Sequence, residues 1–212
     1  SVLTNGTVLV TGGEDNSGIL NSTELYDPLT GTWTMTGSMN NGRYVHTASV
    51  LTNGKVLVTG GLGNSGTANS TELYDPLTGT WTMTGSMNNG RYQHTASVLA
   101  NGKVLVTGGW GNSGLLSSTE LYDPSTGTWT MTGNMNNVRY VHTASVLTNG
   151  KVLVTGGWGS SGDSVNSTEL YDPSTGTWTM TGSMNNARDW HTASVLTNGK
   201  VLVTGGLDNS GI

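Results

Sequence analysis

The 212-residue sequence contains no cysteine, and only 10% of its residues are charged. The absence of cysteine excludes disulfides, thiolate metal sites and cysteine nucleophiles. Eight Lys and Arg against thirteen Asp and Glu give a formal charge of −5 and no overall basic face, so we expect no nucleic-acid partner. No apolar run approaches the ~20 residues of a membrane-spanning helix, so we expect no membrane partner either.

Glycine and large aromatic residues are abundant, with 33 Gly, seven Trp and seven Tyr. Disordered chains of similar polarity usually carry more charge and fewer aromatic residues. Regular Val/Leu runs provide apolar side chains for a core, and no stretch has helical periodicity. The composition therefore favours a folded array of β-strands.

A segment of about 48 residues recurs along the whole chain. A Gly-Gly pair, a tyrosine and a tryptophan keep the same spacing, with steps of 48 and a last step of 49. The pairs begin at Gly12, Gly60, Gly108, Gly156 and Gly205, the tyrosines are Tyr26, Tyr74, Tyr122 and Tyr171, and the tryptophans are Trp33, Trp81, Trp129 and Trp178. The one extra residue lies between Gly157 and Glu169, which marks that segment as a loop. Fixed periods of this length indicate a repeat architecture.

Each repeat is predicted to form four short strands, a to d, separated by turns. In the third repeat they cover His94–Leu99, Lys103–Thr107, Thr119–Tyr122 and Thr128–Thr132. The Asn101-Gly102 pair between strands a and b is a strong hairpin signal. The unit is a four-stranded antiparallel meander, which cannot bury both of its faces alone. Units of this length arranged radially form a β-propeller.

Each repeat resembles a kelch repeat, in which an apolar run ends in Gly-Gly and is followed by a tyrosine and a tryptophan with six residues between them. The resemblance covers the entire chain and implies an all-β propeller of kelch-like blades, about 48 residues per blade. It also implies a protein that binds other proteins or forms part of a larger enzyme. We predict a single array over residues 1–212, with units of about 1–48, 49–96, 97–144 and 145–193 and a partial unit 194–212.

The first and last segments of the chain are nearly the same sequence. Residues 1–19 and 194–212 differ only at Thr7/Lys200 and Glu14/Leu207. A ring of four blades would therefore have two candidates for one b strand, and a ring of five would lack strands c and d of one blade. An unpaired edge at residues 201–203 invites pairing with another chain. We expect a window of a longer array or a homo-oligomer in which chains complete one another, and a self-assembling structural array is one alternative function.

The repeats differ mainly between strands b and c and between strands d and a. In an antiparallel meander these two segments lie at the same end of the sheet, so the variation is confined to one face, as expected for recognition. We predict a non-enzymatic binding or scaffold propeller that recognises a protein or peptide on this face. The candidate ligand-binding residues are Arg43, Tyr44, Arg91, Tyr92, Gln93, Trp110, Arg139, Tyr140, Trp158, Arg188, Asp189 and Trp190.

Two interpretations of the repeated arginines stay open. Each arginine of the d–a segment could pair with a glutamate of strand c, within or between blades, and so tie loop to strand. In ligand-binding kelch proteins, arginines of this region often line a pocket, so the resemblance implies that they could bind a partner carboxylate. The glutamates are Glu24, Glu72, Glu120 and Glu169.

The tryptophans fall into two groups. Those of strand d, like the tyrosines before Asp-Pro, keep one phase per repeat, which predicts core packing. Trp110, Trp158 and Trp190 lie in the variable segments instead. Tryptophan is enriched in interface hot spots and can stack on sugar rings, so a carbohydrate-binding propeller is a second alternative.

Catalysis, a metal and a cofactor are not expected. His46, His94, His142 and His191 occur once per repeat, but packed sheets lie ~10 Å apart, whereas Zn–N bonds are ~2.0–2.1 Å long. We therefore expect these histidines to make structural hydrogen bonds. Near-identical repeats also lack the single, differently placed acid and base that catalysis requires. The copper-radical oxidases, which have a kelch-like propeller, need a cysteine, and a sialidase-like turn here has the wrong aspartate spacing.

Overall fold

The computed structural model describes residues 1–209, and this range contains strands, turns and no helix. The strands form where β-branched and aromatic residues recur, in the sequences VLVT, TASV, TELYD and TWTM. Glycine, asparagine and Asp-Pro separate them and form the turns. No helix in residues 1–209 could therefore cross a membrane.

The strands are two to five residues long. From the start of the chain to Tyr92 they are β1 (Val8–Thr11), β2 (Glu14–Asp15), β3 (Gly18–Ile19), β4 (Thr23–Asp27), β5 (Thr32–Met35), β6 (Thr47–Val50), β7 (Val56–Thr59), β8 (Leu62–Gly63), β9 (Gly66–Thr67), β10 (Thr71–Asp75) and β11 (Thr80–Met83). They continue as β12 (Thr95–Val98), β13 (Val104–Thr107), β14 (Trp110–Gly111), β15 (Gly114–Leu115), β16 (Thr119–Asp123), β17 (Thr128–Met131), β18 (Thr143–Val146), β19 (Val152–Thr155), β20 (Thr168–Asp172), β21 (Thr177–Thr181), β22 (Thr192–Val195) and β23 (Val201–Thr204).

The chain folds into two compact units, and the first comprises Ser1–Tyr92 with Asp123–Trp129. It contains a first sheet in the order β1–β4–β5 and a second sheet in the order β6–β7–β10–β11. Neighbouring strands are antiparallel throughout. Outside β1 the first sheet has only an isolated bridge, from Val2 to Val8, where the second sheet has the full strand β6.

The second unit comprises Gln93–Tyr122 and the residues from Thr130 onward. It contains most of a third sheet in the order β12–β13–β16–β17, a fourth in the order β18–β19–β20–β21, and the hairpin β22–β23. The prediction of repeated four-stranded antiparallel sheets is thereby confirmed. The predicted partial unit 194–212 ends in residues 210–212, which lie outside the described residues.

The segment between strands b and c is more ordered than the sequence indicated. In the first three repeats it forms a hairpin of two-residue strands, such as β14 with β15, rather than an irregular loop. In the fourth repeat, which carries the extra residue, an isolated bridge between Trp158 and Ser164 takes its place.

The core of each unit lies between consecutive sheets. In the first unit, Leu9 and Met39 of the first repeat cluster with Val58, Tyr74 and Trp81 of the second. Side chains alternate between the two faces of a strand, so the leucine of each VLVT strand and its valines serve opposite interfaces. The indole Nε1–H of Trp81 donates to the carbonyl of Gly37 at 2.8 Å and joins the two repeats at the edge of this core.

The second unit repeats this arrangement. Leu105 and Met135 of the third repeat cluster with Val154, Tyr171 and Trp178 of the fourth. The predicted core role of the strand-d tryptophans therefore holds for Trp81 and Trp178, each 9% exposed.

Trp33 departs from that prediction, because 53% of its surface is exposed. Val10 and Glu24 of the same sheet are exposed as well. This face of the first sheet is therefore uncovered, whereas the same face of the second sheet packs against the first repeat.

The glycine after each strand d allows two backbones to approach closely. The amide of Gly133 donates to the carbonyl of Gly176 at 3.0 Å, and a Cβ on Gly133 would lie 2.3 Å from that oxygen. At the same position of the fourth repeat, a Cβ on Gly182 would meet nothing within 4 Å. Glycine is thus required at position 133 for packing and not at position 182.

We predict that Gly133→Ala lowers the free energy of unfolding by about 1–3 kcal/mol, because the added methyl group forces two repeats apart. Gly182→Ala is the matched control and should leave stability unchanged or slightly raised. Urea denaturation measures both variants. Equal effects of the two substitutions would show that the repeats are not in contact at Gly133.

Candidate functional site

The segment that enters each strand a is anchored by a buried arginine. Arg43 is fully buried, and its Nη1 donates to the carbonyls of Gly60 and Ser70 at 2.9 and 3.0 Å. Its Nη2 donates to Oε1 of Glu72 at 2.9 Å. The arginine therefore reaches from the d–a segment into the following sheet and joins the ends of β7 and β10.

The carboxylate of Glu72 organises the rest of this segment. It accepts hydrogen bonds from the backbone amides of Asn40 and Asn41 at 2.7 and 3.1 Å and from the Asn40 side chain at 2.8 Å. Burial raises the pKa of Glu72, but the hydrogen bonds from Asn40, Asn41 and Arg43 outweigh burial and hold this pKa below its ordinary value. The carboxylate is thus ionised and saturated with donors.

The second unit repeats the arrangement between the third and fourth sheets. Arg139 donates to Glu169 at 2.9 Å and to the carbonyl of Gly156 at 2.7 Å. Glu169 accepts from the backbone amides of Asn136 and Asn137 at 2.6 and 3.1 Å. Arg91 and Glu120 are also fully buried.

These contacts correct the expectation that the repeated arginines line a ligand pocket. Arg43, Arg91 and Arg139 have no exposed surface, and Arg43 and Arg139 are held by buried glutamates of the following sheet. The alternative interpretation, a charge pair that ties loop to strand, describes Arg43 and Arg139. Arg188 differs because it is only half-buried and donates to the carbonyl of Gly205 at 2.6 Å.

Two residues after each arginine the backbone adopts a left-handed conformation without glycine. Val45, Gln93, Val141 and Trp190 have φ values of 48°, 50°, 49° and 51°. This conformation is a genuine outlier for a β-branched valine, and such strain clusters at functional sites. In the second unit it directs backbone amides toward the preceding repeat, since Val141 N–H donates to the Gln93 carbonyl and Trp190 N–H to the Val141 carbonyl, both at 3.2 Å.

The left-handed residues of the second unit line a cavity of about 210 Å³. Its walls are Gln93, Val141 and Trp190, each followed by a histidine. These three residue types differ from repeat to repeat, while the histidines do not. The cavity is therefore lined by histidines that are the same in every repeat and by three residues that differ between repeats.

The histidines of the cavity are held by the sheets. Nε2 of His142 lies 3.1 Å from the Thr95 hydroxyl and 3.2 Å from the Thr107 hydroxyl, and His191 contacts Thr143 and Thr155 in the same way. Burial, together with nearby Arg139 and the neighbouring histidines, holds the pKa of His142 well below its ordinary value. Its imidazole is therefore neutral near pH 7. Among residues 1–209, no group of three or more His, Cys, Asp or Glu side chains could hold a metal ion.

Aromatic side chains also lie in the variable segments of the second unit. The rings of Trp110 and Tyr140 meet edge to face, with centroids 5.4 Å apart. Tyr140 also forms an isolated backbone bridge with Trp158, so the d–a and b–c segments are adjacent there. Trp190 is 58% exposed and Trp110 is 36% exposed, whereas Trp158 is half-buried.

The other predicted site residues are less accessible. Tyr44 and Tyr92 of the first unit are half-buried, and the Tyr44 backbone pairs with Leu62 of the b–c segment. Asp189 is 3% exposed, and burial raises the pKa of its carboxyl group. Sequence reasoning missed Val141 and the cavity histidines, because nothing in their residue types indicates a left-handed backbone or a shared cavity.

Two larger surface depressions are weaker candidates for a binding site. One, of about 420 Å³, is lined by turn segments 99–101, 149–151 and 172–174, which are nearly the same in every repeat. The other, of about 410 Å³, lies between residues 41–43 and 63–70 of the first unit and is bordered mainly by small polar residues. Neither contains left-handed non-glycine residues.

Repeated antiparallel sheets that are locked together by buried Arg–Glu pairs define an all-β repeat protein of the propeller class. In a comparison with protein families, residues 1–206 match the KLHDC2/KLHL20/DRC7 Kelch-repeats domain. The chain belongs to this kelch-repeat family, and the predicted kelch propeller is confirmed. Domains of this family are protein-interaction modules and are generally non-enzymatic. A search of curated proteins finds no matching relative.

We predict that Glu169→Gln lowers the free energy of unfolding by about 3–5 kcal/mol, because it leaves the buried Arg139 without its counter-charge. Lys151→Met is the matched control, since it breaks an ion pair of similar length, 3.0 Å to Asp172, between half-exposed side chains. Exposed pairs of this kind contribute little, so its denaturation midpoint should barely move. Similar losses in the two variants would show that burial does not distinguish the pairs.

We also predict that acidification destabilises the protein through its buried histidines. Burial, with the nearby charge of Arg43, lowers the pKa of His46 from 6.5 to about 4. The unfolded chain therefore binds more protons than the folded chain between those values. The free energy of unfolding should fall as the pH drops from 6.5 to 4, by up to ~1.4 kcal/mol per pH unit for this residue.

The measurement is urea denaturation of the wild type and His46→Gln across this pH range. The variant should have a shallower pH dependence, because glutamine does not titrate. Identical slopes in the two proteins would contradict the assigned shift.

Proposed function

We propose that the second unit binds an extended segment of a partner protein, with one side chain of that segment in the cavity between Gln93, Val141 and Trp190. The observation that carries the proposal is the row of left-handed, non-glycine residues on the cavity wall. Their strain costs roughly 1–3 kcal/mol each, and such strain is usually retained where it serves a site.

The size of the cavity favours a peptide side chain over a free small molecule. Drug-sized ligands occupy ~300–1,000 Å³, whereas this cavity measures about 210 Å³. A single inserted side chain flanked by surface contacts is the mode in which an extended peptide uses such a space.

The charge of the cavity favours an uncharged side chain. His142 is neutral near pH 7, its Nε2 is engaged by threonine hydroxyls, and the buried Arg139 is neutralised by Glu169. No Lys or Arg is among the described residues that line the cavity, and the nearby Arg188 donates to the Gly205 carbonyl. Val141 and the indole of Trp190 offer apolar surface, and the Gln93 amide offers hydrogen bonds.

The aromatic residues beside the cavity extend the proposed contact. Trp190 and Trp110 are exposed, and Tyr140 holds the Trp110 ring edge-on. Tryptophan and tyrosine are the residues most enriched in binding hot spots. We include Trp110, Tyr140 and Trp158 in the site and leave out the buried arginines.

The same exposed indoles support carbohydrate binding as a second candidate function. Trp110 and Trp190 present ring surface on which a sugar could stack, next to the hydrogen-bonding groups of Gln93. The cavity favours the first candidate, because its volume of about 210 Å³ suits one side chain better than a pyranose ring with its hydroxyl groups.

The test is selection of displayed peptides on the wild-type protein, with a glycan array probed in parallel. We predict that Trp190→Ala weakens the selected peptides by about thirtyfold or more, the effect of losing a hot spot worth ~2 kcal/mol. Trp33→Ala is the matched control, because Trp33 is similarly exposed but lies on strand β5 of the first unit and is not among the residues that line the cavity. Its peptide affinity should equal that of the wild type.

Peptides that bind the Trp190→Ala and wild-type proteins equally would contradict the site. Glycan binding that depends on Trp110 and Trp190, without any selected peptide, would favour the second candidate.

A further inference from the structure

Each complete repeat carries two methionines four residues apart, and the two differ in exposure. The first of each pair lies at the surface, and in the first three repeats the second is buried. The pairs are Met35 and Met39, Met83 and Met87, Met131 and Met135, and Met180 and Met184. The chain contains these eight methionines and no cysteine, so thioethers are its only sulfur groups.

The exposed methionines of strands β11 and β21 contact the repeat before them. Met83 follows Trp81 by two residues, so both side chains lie on the face that meets the preceding repeat. The indole of Trp81 lies in the core, whereas Met83 is 48% exposed. Met180 occupies the same position two residues after Trp178 and is 50% exposed. Both thioethers are therefore open to a small reagent from solvent.

The sulfur atom of each of these methionines lies beside an asparagine amide. Nδ2 of Asn41 donates to Sδ of Met83 at 3.7 Å, and Nδ2 of Asn137 donates to Sδ of Met180 at 3.4 Å. The contact occurs once in the first unit and once in the second. A thioether is a weak acceptor, so these N–H groups are poorly satisfied by sulfur alone.

The asparagines are held in place by the buried glutamates. The backbone amides of Asn41 and Asn137 donate to Oε1 of Glu72 and of Glu169, both at 3.1 Å. Each asparagine side chain is thus fixed over the sulfur by a part of the structure that does not include the methionine.

An exposed thioether reacts with hydroperoxides. The sulfur lone pair attacks one oxygen of hydrogen peroxide, and an S–O bond forms while the O–O bond breaks. The second oxygen takes up the proton of the first and leaves as water. Sulfur is oxidised by two electrons, and the peroxide is reduced by the same two.

We propose that Met83 and Met180 are reversible oxidation sites, at which the sulfoxide oxygen accepts the asparagine N–H of the preceding repeat. A sulfoxide oxygen is a much stronger acceptor than a thioether sulfur, and the donor already lies 3.4–3.7 Å from that sulfur. Half of each side chain is open to solvent, so the added oxygen does not enter the core. Oxidation here strengthens a contact between consecutive repeats.

The buried methionines should respond in the opposite way. Met135 lies in a core cluster with Leu105 and Tyr171. An oxygen placed among these side chains is a buried polar group, which costs stability. The position of a methionine in the repeat therefore decides whether its oxidation is tolerated.

The first experiment treats the folded protein with limiting hydrogen peroxide and locates each sulfoxide by fragment-ion mass spectrometry. Cleavage after Lys and Arg places the pairs in separate peptides, 56–91, 104–139 and 152–188. We expect Met83 and Met180 to gain oxygen at least about tenfold faster than Met87 and Met135, because a buried sulfur reacts only in the few molecules that have opened locally.

Methionine sulfoxide reductases of both stereospecificities should then restore the original masses. Equal oxidation rates at exposed and buried methionines, or sulfoxides at positions 83 and 180 that the reductases leave in place, would overturn the proposal.

The second experiment tests the asparagine by urea denaturation before and after this limited oxidation. Asn137→Ala keeps the backbone amide that donates to Glu169 but lacks the side-chain donor, and Met180→Leu cannot be oxidised at that position. Oxidation should lower the unfolding equilibrium constant of the wild type by about two- to tenfold more than that of either variant, the effect of one hydrogen bond.

Asn112→Ala is the matched control, since Asn112 is an exposed asparagine of the turn between β14 and β15 and its variant should respond to oxidation like the wild type. The denaturation curves before oxidation establish that each variant is folded. An oxidation effect of the same size in the wild type and in Asn137→Ala would show that the asparagine does not receive the sulfoxide and would overturn the proposal.

Discussion

A guanidinium buried in the neighbouring repeat is the interaction on which the rest of this structure depends. Arg43 and Arg139 leave their own loops and end between two strands of the following sheet, where a glutamate and backbone carbonyls accept hydrogen bonds from their Nη1 and Nη2 groups. Burying such a pair costs several kcal/mol per ion unless every donor and acceptor is used. Glu72 and Glu169 use their acceptor sites fully by also accepting the asparagine amides of the incoming loop, whereas Nε of Arg43 and of Arg139 has no hydrogen-bond partner among the described residues.

The hydrogen bond from each of Arg43, Arg139 and Arg188 to the glycine carbonyl after strand b explains how variable residues are held on sheets that do not vary. The arginine and the histidine three residues later are both held by the sheets, so the residues between them have little freedom. One of them is forced into the left-handed region whatever its type, which is why Gln93, Val141 and Trp190 share nearly one φ value. Their side chains then line one cavity, and their identities can change without altering the sheets.

Much of the fold could be predicted from the sequence, because repeated apolar strands and turn residues are local signals. The strands Val104–Thr107 and Thr119–Asp123 lie within one residue of the predicted bounds. The core role of Trp81 and Trp178 followed from their fixed phase. Trp33 could not be told apart from them, because its exposure depends on whether another sheet covers it and not on the residues around it.

The candidate site was less predictable for physical reasons. The spacing of arginines and glutamates indicated pairing but could not decide between a buried clamp and an exposed ligand contact, since that depends on burial. A valine in the left-handed region has no sequence signal, because residue preferences argue against it. The sequence distinguishes Trp190 as a tryptophan outside the strand-d phase, but its proximity to Gln93 and Val141 arises from packing between repeats, which no local signal predicts.

Native-state hydrogen exchange at the asparagines before the arginine tests the central claim most directly. The backbone amides of Asn136 and Asn137 lie in a loop and donate to the Glu169 carboxylate. If the buried pair of Arg139 and Glu169 holds the structure together, these amides exchange only on global unfolding, as slowly as those of strand β19. Exchange as fast as that of the exposed turn amides near Thr175 would contradict the account, because the loop would then open without breaking the fold.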